Sequence, residues 1–364
     1  IFKILLYGYL FLFFIVIFFE GGIQMISINM MSHADSIKGQ GVLSAHDEQV
    51  NLVRQIKDYD IEENNKKICD ITHFHTVNLE YFLILPFIKR KSSTVAYVHF
   101  VPETLEDSIH LNKLFRYVFY KYLIKFYSSM DWLVVVNPYY IDVLNDYGIK
   151  TEKIKYIPNY VSNDKFYKLP SEEKVKLREK YNIAKDKFVV LAVGQLQKRK
   201  GVIDFIKIAK NMPDIEFIWA GGAVFGKMSE GYDEIMNIIN GDLPSNVKFL
   251  GLIDRDDMNE VYNMSDVMFL PSYEELFPMS ILEAMCVNIP VLTRDLDIYN
   301  GILFDFYCFA SDNDGFINMI NRLKNDEEYY DTMVEKSKAG NAFYCKDNVK
   351  NMWKDFYKEC LENK

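Results

Sequence analysis

The stretch Leu270-Pro271-Ser272-Tyr273-Glu274-Glu275-Leu276-Phe277-Pro278-Met279-Ser280-Ile281-Leu282-Glu283-Ala284-Met285 holds a strand end, an acidic loop and a helix start in succession. Val267 to Leu270 is an apolar run behind Asp266, which reads as a parallel strand buried on both faces. Pro271 and Ser272 end it. Pro278 suits the first turn of a helix, where its missing N–H costs no bond, and Met279 to Met285 continue that helix. Glu275 is therefore expected on a loop above a helix N-terminus, and Glu283 on the helix's second turn. Such an arrangement aims two carboxylates and several free N–H groups at one crevice, the usual ligand position of a doubly wound sheet. A blander reading is also open, in which the acids merely sit near the positive end of a helix dipole.

Outward from this stretch, strands and helices alternate in two blocks. Phe188 to Val193, Glu216 to Ala220, Val247 to Leu250 and Pro290 to Leu292 read as further strands of the same block. Helices are expected at Tyr232 to Ile239 and from Asp256, and three more finish the chain, the last at Asn348 to Glu362. The earlier block has strands at Ile26 to Met31, Cys69 to Phe74, Thr94 to Phe100, Asp131 to Val136 and Ile154 to Ile157. Its helices fall at Val42 to Lys57, Leu111 to Ser129 and Pro138 to Tyr147, and the charged helix Ser171 to Lys180 links the blocks. Repeated strand–helix units of this kind predict an α/β chain with two Rossmann-like domains, their parallel sheets facing across a cleft. The expected division is an apolar extension over 1–24, an N-terminal domain over 25–166 and a second domain over 167–345. A final helix is expected over 346–364.

A chain of 364 residues with 49% hydrophobic and 15% aromatic content can fill two cores. Its net charge of −9 argues against general nucleic-acid binding, so anion affinity must come from local basic patches. The five cysteines are scattered and lack a C-x-x-C pair, as in a reduced cytosolic protein without a disulfide framework or zinc site. Ile4 to Phe19 carries no charge, yet it is short for a membrane span and lacks the small-residue site of a cleaved signal. Over-extended translation or truncation, and a genuine membrane anchor, are both open for that run; the fold is expected to begin near Met25.

Several local features bear on function. Gly39-Gln40-Gly41 follows the first strand as a phosphate-type loop would, although no third glycine completes a dinucleotide fingerprint. His99 is expected at a strand's C-terminal end, on the active edge of the sheet. His73 and His75 share one strand face, but no clustered Cys or Asp supports a metal there, and satisfied structural histidines are the expectation. Asp295 and Asp297 form an Asp-x-Asp read as a loop feature. The helix over 111–129 carries Lys113, Arg116, Lys121 and Lys125 without an acid, interleaved with Phe and Tyr. Basic and aromatic residues on one amphipathic helix are expected to meet an anionic membrane surface.

Glu275 and Glu283, eight positions apart with Phe277 between and Ala284-Met285 after, resemble the paired-glutamate motif of retaining GT-B glycosyltransferases of the family 4 type. The resemblance runs from Met25 onward and implies an acceptor and membrane domain over 25–166, a nucleotide-sugar domain over 167–345 and a helix over 346–364 that crosses back to the first domain. It implies that Glu275 contacts the donor sugar, Glu283 the ribose hydroxyls and His99 the sugar from the opposite domain. Lys200-Gly201 matches the family's diphosphate-holding lysine, and the loop at Gly39 and Gly41 would lie near the donor phosphate and acceptor. Such a site has no metal or other cofactor, so lysine, arginine and N–H dipoles neutralise the departing nucleoside diphosphate. Phe277, Pro278 and Met279 belong to the same donor-binding segment. Two departures stand out: Pro278 replaces the usual Gly, removing one N–H, and Gln195 replaces the usual Arg, with Arg199 nearby to supply the charge.

The phrases Val98-His-Phe-Val-Pro-Glu-Thr104, Glu275-Leu-Phe-Pro-Met279 and Arg294-Asp-Leu-Asp-Ile-Tyr299 look like bacterial glycolipid synthases that add a second hexose to monoglucosyldiacylglycerol. This resemblance implies transfer of galactose from UDP-galactose with retention of configuration, at the cytoplasmic face of the cell membrane. Transfer of glucose, a soluble or polyprenyl-linked glycan acceptor, and a catalytically silent membrane-bound interaction protein remain as alternatives.

Overall fold

The structure is a computed structural model and describes residues 25–33, 41–105, 113–224, 226, 231–241 and 243–362. The leading apolar run and Gly39 lie outside the described residues. Two six-stranded sheets form the frame, and every strand pairing within them is parallel. The first contains β1 (Ile26–Met31), β2 (Tyr59–Glu63), β3 (Ile71–Phe74), β4 (Ser93–Val98), β5 (Trp132–Val135) and β6 (Ile154–Tyr156), in the order β2-β1-β3-β4-β5-β6. The second contains β7 (Phe188–Val193), β8 (Ile215–Ala220), β9 (Val247–Gly251), β10 (Val267–Leu270), β11 (Val291–Arg294) and β12 (Cys308–Ala310), in the order β12-β11-β10-β7-β8-β9.

Strands covered by helices on both faces are buried on both and read as largely apolar runs. Accordingly β4, β8 and β10 are buried along their whole lengths. Chain direction through each sheet reverses once, between β1 and β3 and between β7 and β10. Loops leaving the carboxyl ends of such a strand pair diverge to opposite faces and leave a crevice between them.

Some elements differ from the sequence expectation. Tyr59–Glu63 is an edge strand, paired only to β1, and its acidic composition conceals it. Leu79–Ile88 is a helix although its sequence, LEYFLILPFI, is apolar all round and contains Pro86, so it shows no helical period. Cys308–Ala310 adds a short strand at the far edge of the second sheet. β4 also ends at Val98, which places His99 just beyond it.

The halves are closely joined. A single hydrophobic cluster runs from Ile28 and Val53 through Phe166 and Tyr262 to Trp353. The last helix, Lys346–Glu362, lies on the first sheet. There the Tyr357 hydroxyl stands 2.9 Å from His73 Nδ1, and Tyr59 donates its hydroxyl proton to the Lys354 carbonyl at 2.7 Å.

Candidate active site

After β7 the chain makes a tight basic turn, Lys198–Lys200, and Gly201 follows at φ 75°. A Cβ at Gly201 would stand 2.4 Å from the Pro271 carbonyl oxygen, so only glycine lets the turn lie directly on the loop that leaves β10. The two loops are stitched together. Tyr273 N–H donates to the Arg199 carbonyl at 2.7 Å, and Arg199 Nη1 donates to the Glu274 carbonyl at 3.2 Å. Lys200 Nζ lies 2.5 Å from Glu275 Oε1, with both side chains largely buried. Burial pulls the Lys200 ammonium pKa below its ordinary value and Arg199 adds to that, while Glu275 opposes it. Behind the loops, Arg294 donates to the Pro271 carbonyl at 3.1 Å and pairs with Asp204 at 2.8 Å, and Tyr273 donates to the same Asp204 carboxylate.

Pro278 is extended at φ −69° and ψ 131°, immediately ahead of the fully buried helix Met279–Cys286. The first N–H groups of that helix have no intrahelical acceptor. Phe277 packs on Tyr344, ring centroids 5.1 Å apart. Glu283 is engaged through both oxygens, Oε1 with Arg255 Nη1 at 2.7 Å and Oε2 with the Tyr262 hydroxyl at 2.6 Å. A carboxylate has about four acceptor positions, so two such bonds leave room for further donors. Arg255 also reaches Glu48 Oε1 at 3.2 Å, and Lys165 lies 3.5 Å from the same oxygen. Glu48 belongs to the helix Gly41–Val53 of the first half, so this charge chain crosses the cleft.

His99 approaches from the first half. Its ring stacks on Tyr97, centroids 4.3 Å apart and planes 9° apart. Tyr97 in turn donates to Asn159 Oδ1 at 3.2 Å, and Asn159 Nδ2 donates to the Phe277 carbonyl at 2.7 Å. Two side chains thus connect His99 to the acidic loop. Burial, followed by the influence of His46, pushes the His99 pKa down to about 3. The ring is neutral at pH 7, and its buried Nε2 has no hydrogen-bond partner among the described residues. His73 and His75 are likewise held well below their usual pKa, chiefly by burial. Among the described residues no group of three His, Cys, Asp or Glu side chains is arranged to hold a metal ion.

A family model described as "Glycosyl transferases group 1" matches residues 173–340, and one described as "Glycosyltransferase Family 4" matches residues 51–165. The alpha-galactosylglucosyldiacylglycerol synthase of Streptococcus pneumoniae is 39% identical over 338 residues, covering 92% of this chain and 90% of that protein. The chain is a family 4 glycosyltransferase. The processive diacylglycerol alpha-glucosyltransferase of Acholeplasma laidlawii is 24% identical over 265 residues, covering 72% of this chain and 77% of that protein. The crystal structure of Anabaena HepE in complex with UDP-glucose shares the fold at a TM-score of 0.73, with 17% identity, covering 92% of this chain and all of that one. The architecture is therefore GT-B, and the protein is an enzyme.

Within this glycosyltransferase, Arg199, Lys200, Glu275, Phe277, Pro278, Met279 and Glu283 gather at the carboxyl ends of β7 and β10. Gly41 opens the helix that carries Glu48. Sequence reasoning did not find Glu48, Arg255, Tyr262, Asn137, Tyr140 or Tyr97. Tyr97 stands next to the Val98–Thr104 phrase quoted from the sequence, and Asn159 lies in the segment that leaves the first half.

The basic helix occupies Lys113–Ser128 and turns Leu123, Phe126 and Tyr127 inward. Lys113, Lys121 and Lys125 are exposed and Arg116 is half-buried. Phe82 of the helix Leu79–Ile88 packs on Tyr122, centroids 5.7 Å apart, which sets the two helices side by side. Together they expose Leu83, Phe87, Leu114, Phe115 and Val118, each more than half accessible. Soluble proteins rarely gather so many large apolar side chains on a free surface without a use for it.

Proposed function

We propose that this glycosyltransferase moves a hexose, with galactose from UDP-galactose as the preferred donor, onto monoglucosyldiacylglycerol with retention of configuration and without a metal. The observation that carries the reading is the Lys200–Glu275 contact at the carboxyl ends of the two strands flanking the crevice. There a cation that stabilises a leaving diphosphate touches the carboxylate that would orient the sugar. Lys200, with Arg199 beside it, takes the diphosphate; Glu275 orients the hexose; Glu283 receives the ribose hydroxyls on the acceptor positions that Arg255 and Tyr262 leave open. His99, kept neutral, offers one hydrogen bond to the hexose from the acceptor side. Residues 167–345 are read as the donor domain and residues 25–166 as the acceptor domain.

The apolar face on Leu79–Ile88 and Lys113–Ser128 supports the lipid acceptor. Its large side chains suit the acyl boundary, and Lys113, Arg116, Lys121 and Lys125 suit anionic headgroups. The enzyme would then work as a peripheral protein on the cytoplasmic face of the membrane. The test is turnover of radiolabelled UDP-galactose and UDP-glucose with monoglucosyldiacylglycerol in anionic vesicles. A diglycosyl product from UDP-galactose, lost when the anionic lipid is replaced by a zwitterionic one, is expected. Equal turnover in both vesicles would refute the membrane part, and product from UDP-glucose alone would refute the donor.

A further inference from the structure

The loop that carries Glu275 belongs to the second half, but its backbone is held by the first. Three successive carbonyls are each taken by a different side chain. The Tyr140 hydroxyl donates to the Glu275 carbonyl at 2.9 Å, Asn137 Nδ2 to the Leu276 carbonyl at 2.9 Å, and Asn159 Nδ2 to the Phe277 carbonyl at 2.7 Å. Asn137 Nδ2 also donates to the Ile298 carbonyl at 2.8 Å, so one amide pins two loops. All three donors are buried. We infer that Asn137, Tyr140 and Asn159 are positioning residues, through which the N-terminal half sets the peptide planes of the catalytic loop and thereby the aim of Glu275 at Lys200. This rests on the glycosyltransferase reading of Glu275 proposed above.

The donors themselves have little freedom. Asn137 Oδ1 accepts the Tyr139 N–H at 3.0 Å, which fixes which edge of the amide faces the loop. Asn159 Oδ1 is occupied by the Tyr97 hydroxyl, so its Nδ2 is likewise committed. Tyr140 is carried by the helix Tyr139–Asp146. The segment from Pro271 to Pro278 has no strand or helix of its own, and neighbouring groups decide the direction of its peptide planes. Without these bonds the loop backbone is free to shift, and with it the Cα from which the Glu275 side chain reaches Lys200. Because Tyr97 also stacks on His99, the acceptor-side histidine and the donor-side carboxylate are held through one continuous set of contacts. The catalytic constellation is complete only when the two halves are docked.

If these bonds only satisfied buried carbonyls, their loss would cost stability and leave turnover per folded molecule unchanged. The full-length variants Tyr140→Phe, Asn137→Ala and Asn159→Ala separate the two roles. The measurements are kcat and KM for the UDP-hexose, the Kd of UDP by calorimetry, and amide exchange across 272–281. Misplacing a reacting group by about 1 Å can cost about a hundredfold in rate, so kcat is expected to fall at least about tenfold. UDP affinity should change less than kcat, since Lys200, which meets the diphosphate, is carried by the neighbouring basic turn and not by the clamped loop itself. Amide exchange across the loop should speed up. Unchanged kcat in folded protein, or unchanged exchange, would overturn the inference. Tyr140→Phe removes a single oxygen and decides the matter if the asparagine variants do not fold. Should the wild-type enzyme transfer no hexose from either donor to monoglucosyldiacylglycerol, the proposed reaction fails on its own. Loop exchange in Tyr140→Phe still tests the clamp: acceleration supports it and no change overturns it.

Discussion

Replacing Lys200 by Met leaves the Glu275 carboxylate in place, 6% exposed and without the ammonium that sits 2.5 Å away. Removing one member of a buried ion pair costs about 3–5 kcal/mol, because the survivor keeps its desolvation penalty and loses its compensation. Glu275→Gln strands Lys200 in the same way. Removing both charges in Lys200→Met/Glu275→Gln eliminates the penalty together with the attraction, so the double variant should lie within about 1 kcal/mol of wild type. The coupling between the sites is then several kcal/mol and opposite in sign to the single losses. Activity should not follow. Each single variant and the double variant lose about a hundredfold or more in kcat, since the leaving diphosphate and the hexose both lose their partners. Urea unfolding at constant m-value measures the stabilities, and turnover of labelled UDP-hexose measures the rates. Additive stability losses would refute the buried-pair argument. Recovery of turnover in the double variant would refute the catalytic one.

Other consequences can be checked as directly. Burial keeps His99 at a pKa of about 3 and holds His73 and His75 well below their usual value, so the unfolded chain takes up protons first, below about pH 6.5. Stability from these residues is complete above that pH and falls as pH drops, by up to about 1.4 kcal/mol per pH unit for each imidazole. A urea midpoint that stays level between about pH 7.5 and 5.5 would contradict this. Gly201→Ala brings a Cβ to 2.4 Å from the Pro271 carbonyl and should push the basic turn off the acidic loop, lowering kcat by about tenfold or more. A variant with normal turnover would remove the close-approach argument. Glu48→Gln removes the carboxylate that shares Arg255 with Glu283 and should raise the UDP-hexose KM about three- to tenfold with little change in kcat. Leu83→Glu/Phe87→Glu changes side chains that are 64% and 65% exposed, so folding is unaffected. Vesicle co-sedimentation should fall about tenfold or more, and undiminished binding would place the membrane contact elsewhere.

The order of strands, loops and helices was legible in the sequence because burial on both faces demands continuous apolar runs. Phe188–Val193 and Val267–Leu270 needed no further information. The residues closing those two strands were legible for a related reason. A basic loop ending in Lys200-Gly201 and an acidic loop ending in Pro278 each carry an unusual local composition. The edge strand Tyr59–Glu63 and the helix Leu79–Ile88 were not legible, since the first pairs on one side only and the second has no polar face to mark a period.

Composition and spacing therefore marked the two charged loops at strand ends, and the family resemblance supplied the expectation of a sugar donor there. They could not determine what Arg255, Glu48, Asn137, Tyr140 and Asn159 do. Each of these is an ordinary polar residue in its own segment, and its role is set by a partner between 28 and 207 positions away. Contacts of that range exist only once the two sheets have docked and brought the carboxyl ends of their strands to one cleft. The aim of the Glu275 carboxylate is accordingly a property of the assembled tertiary structure, because its backbone is held by side chains from the other half.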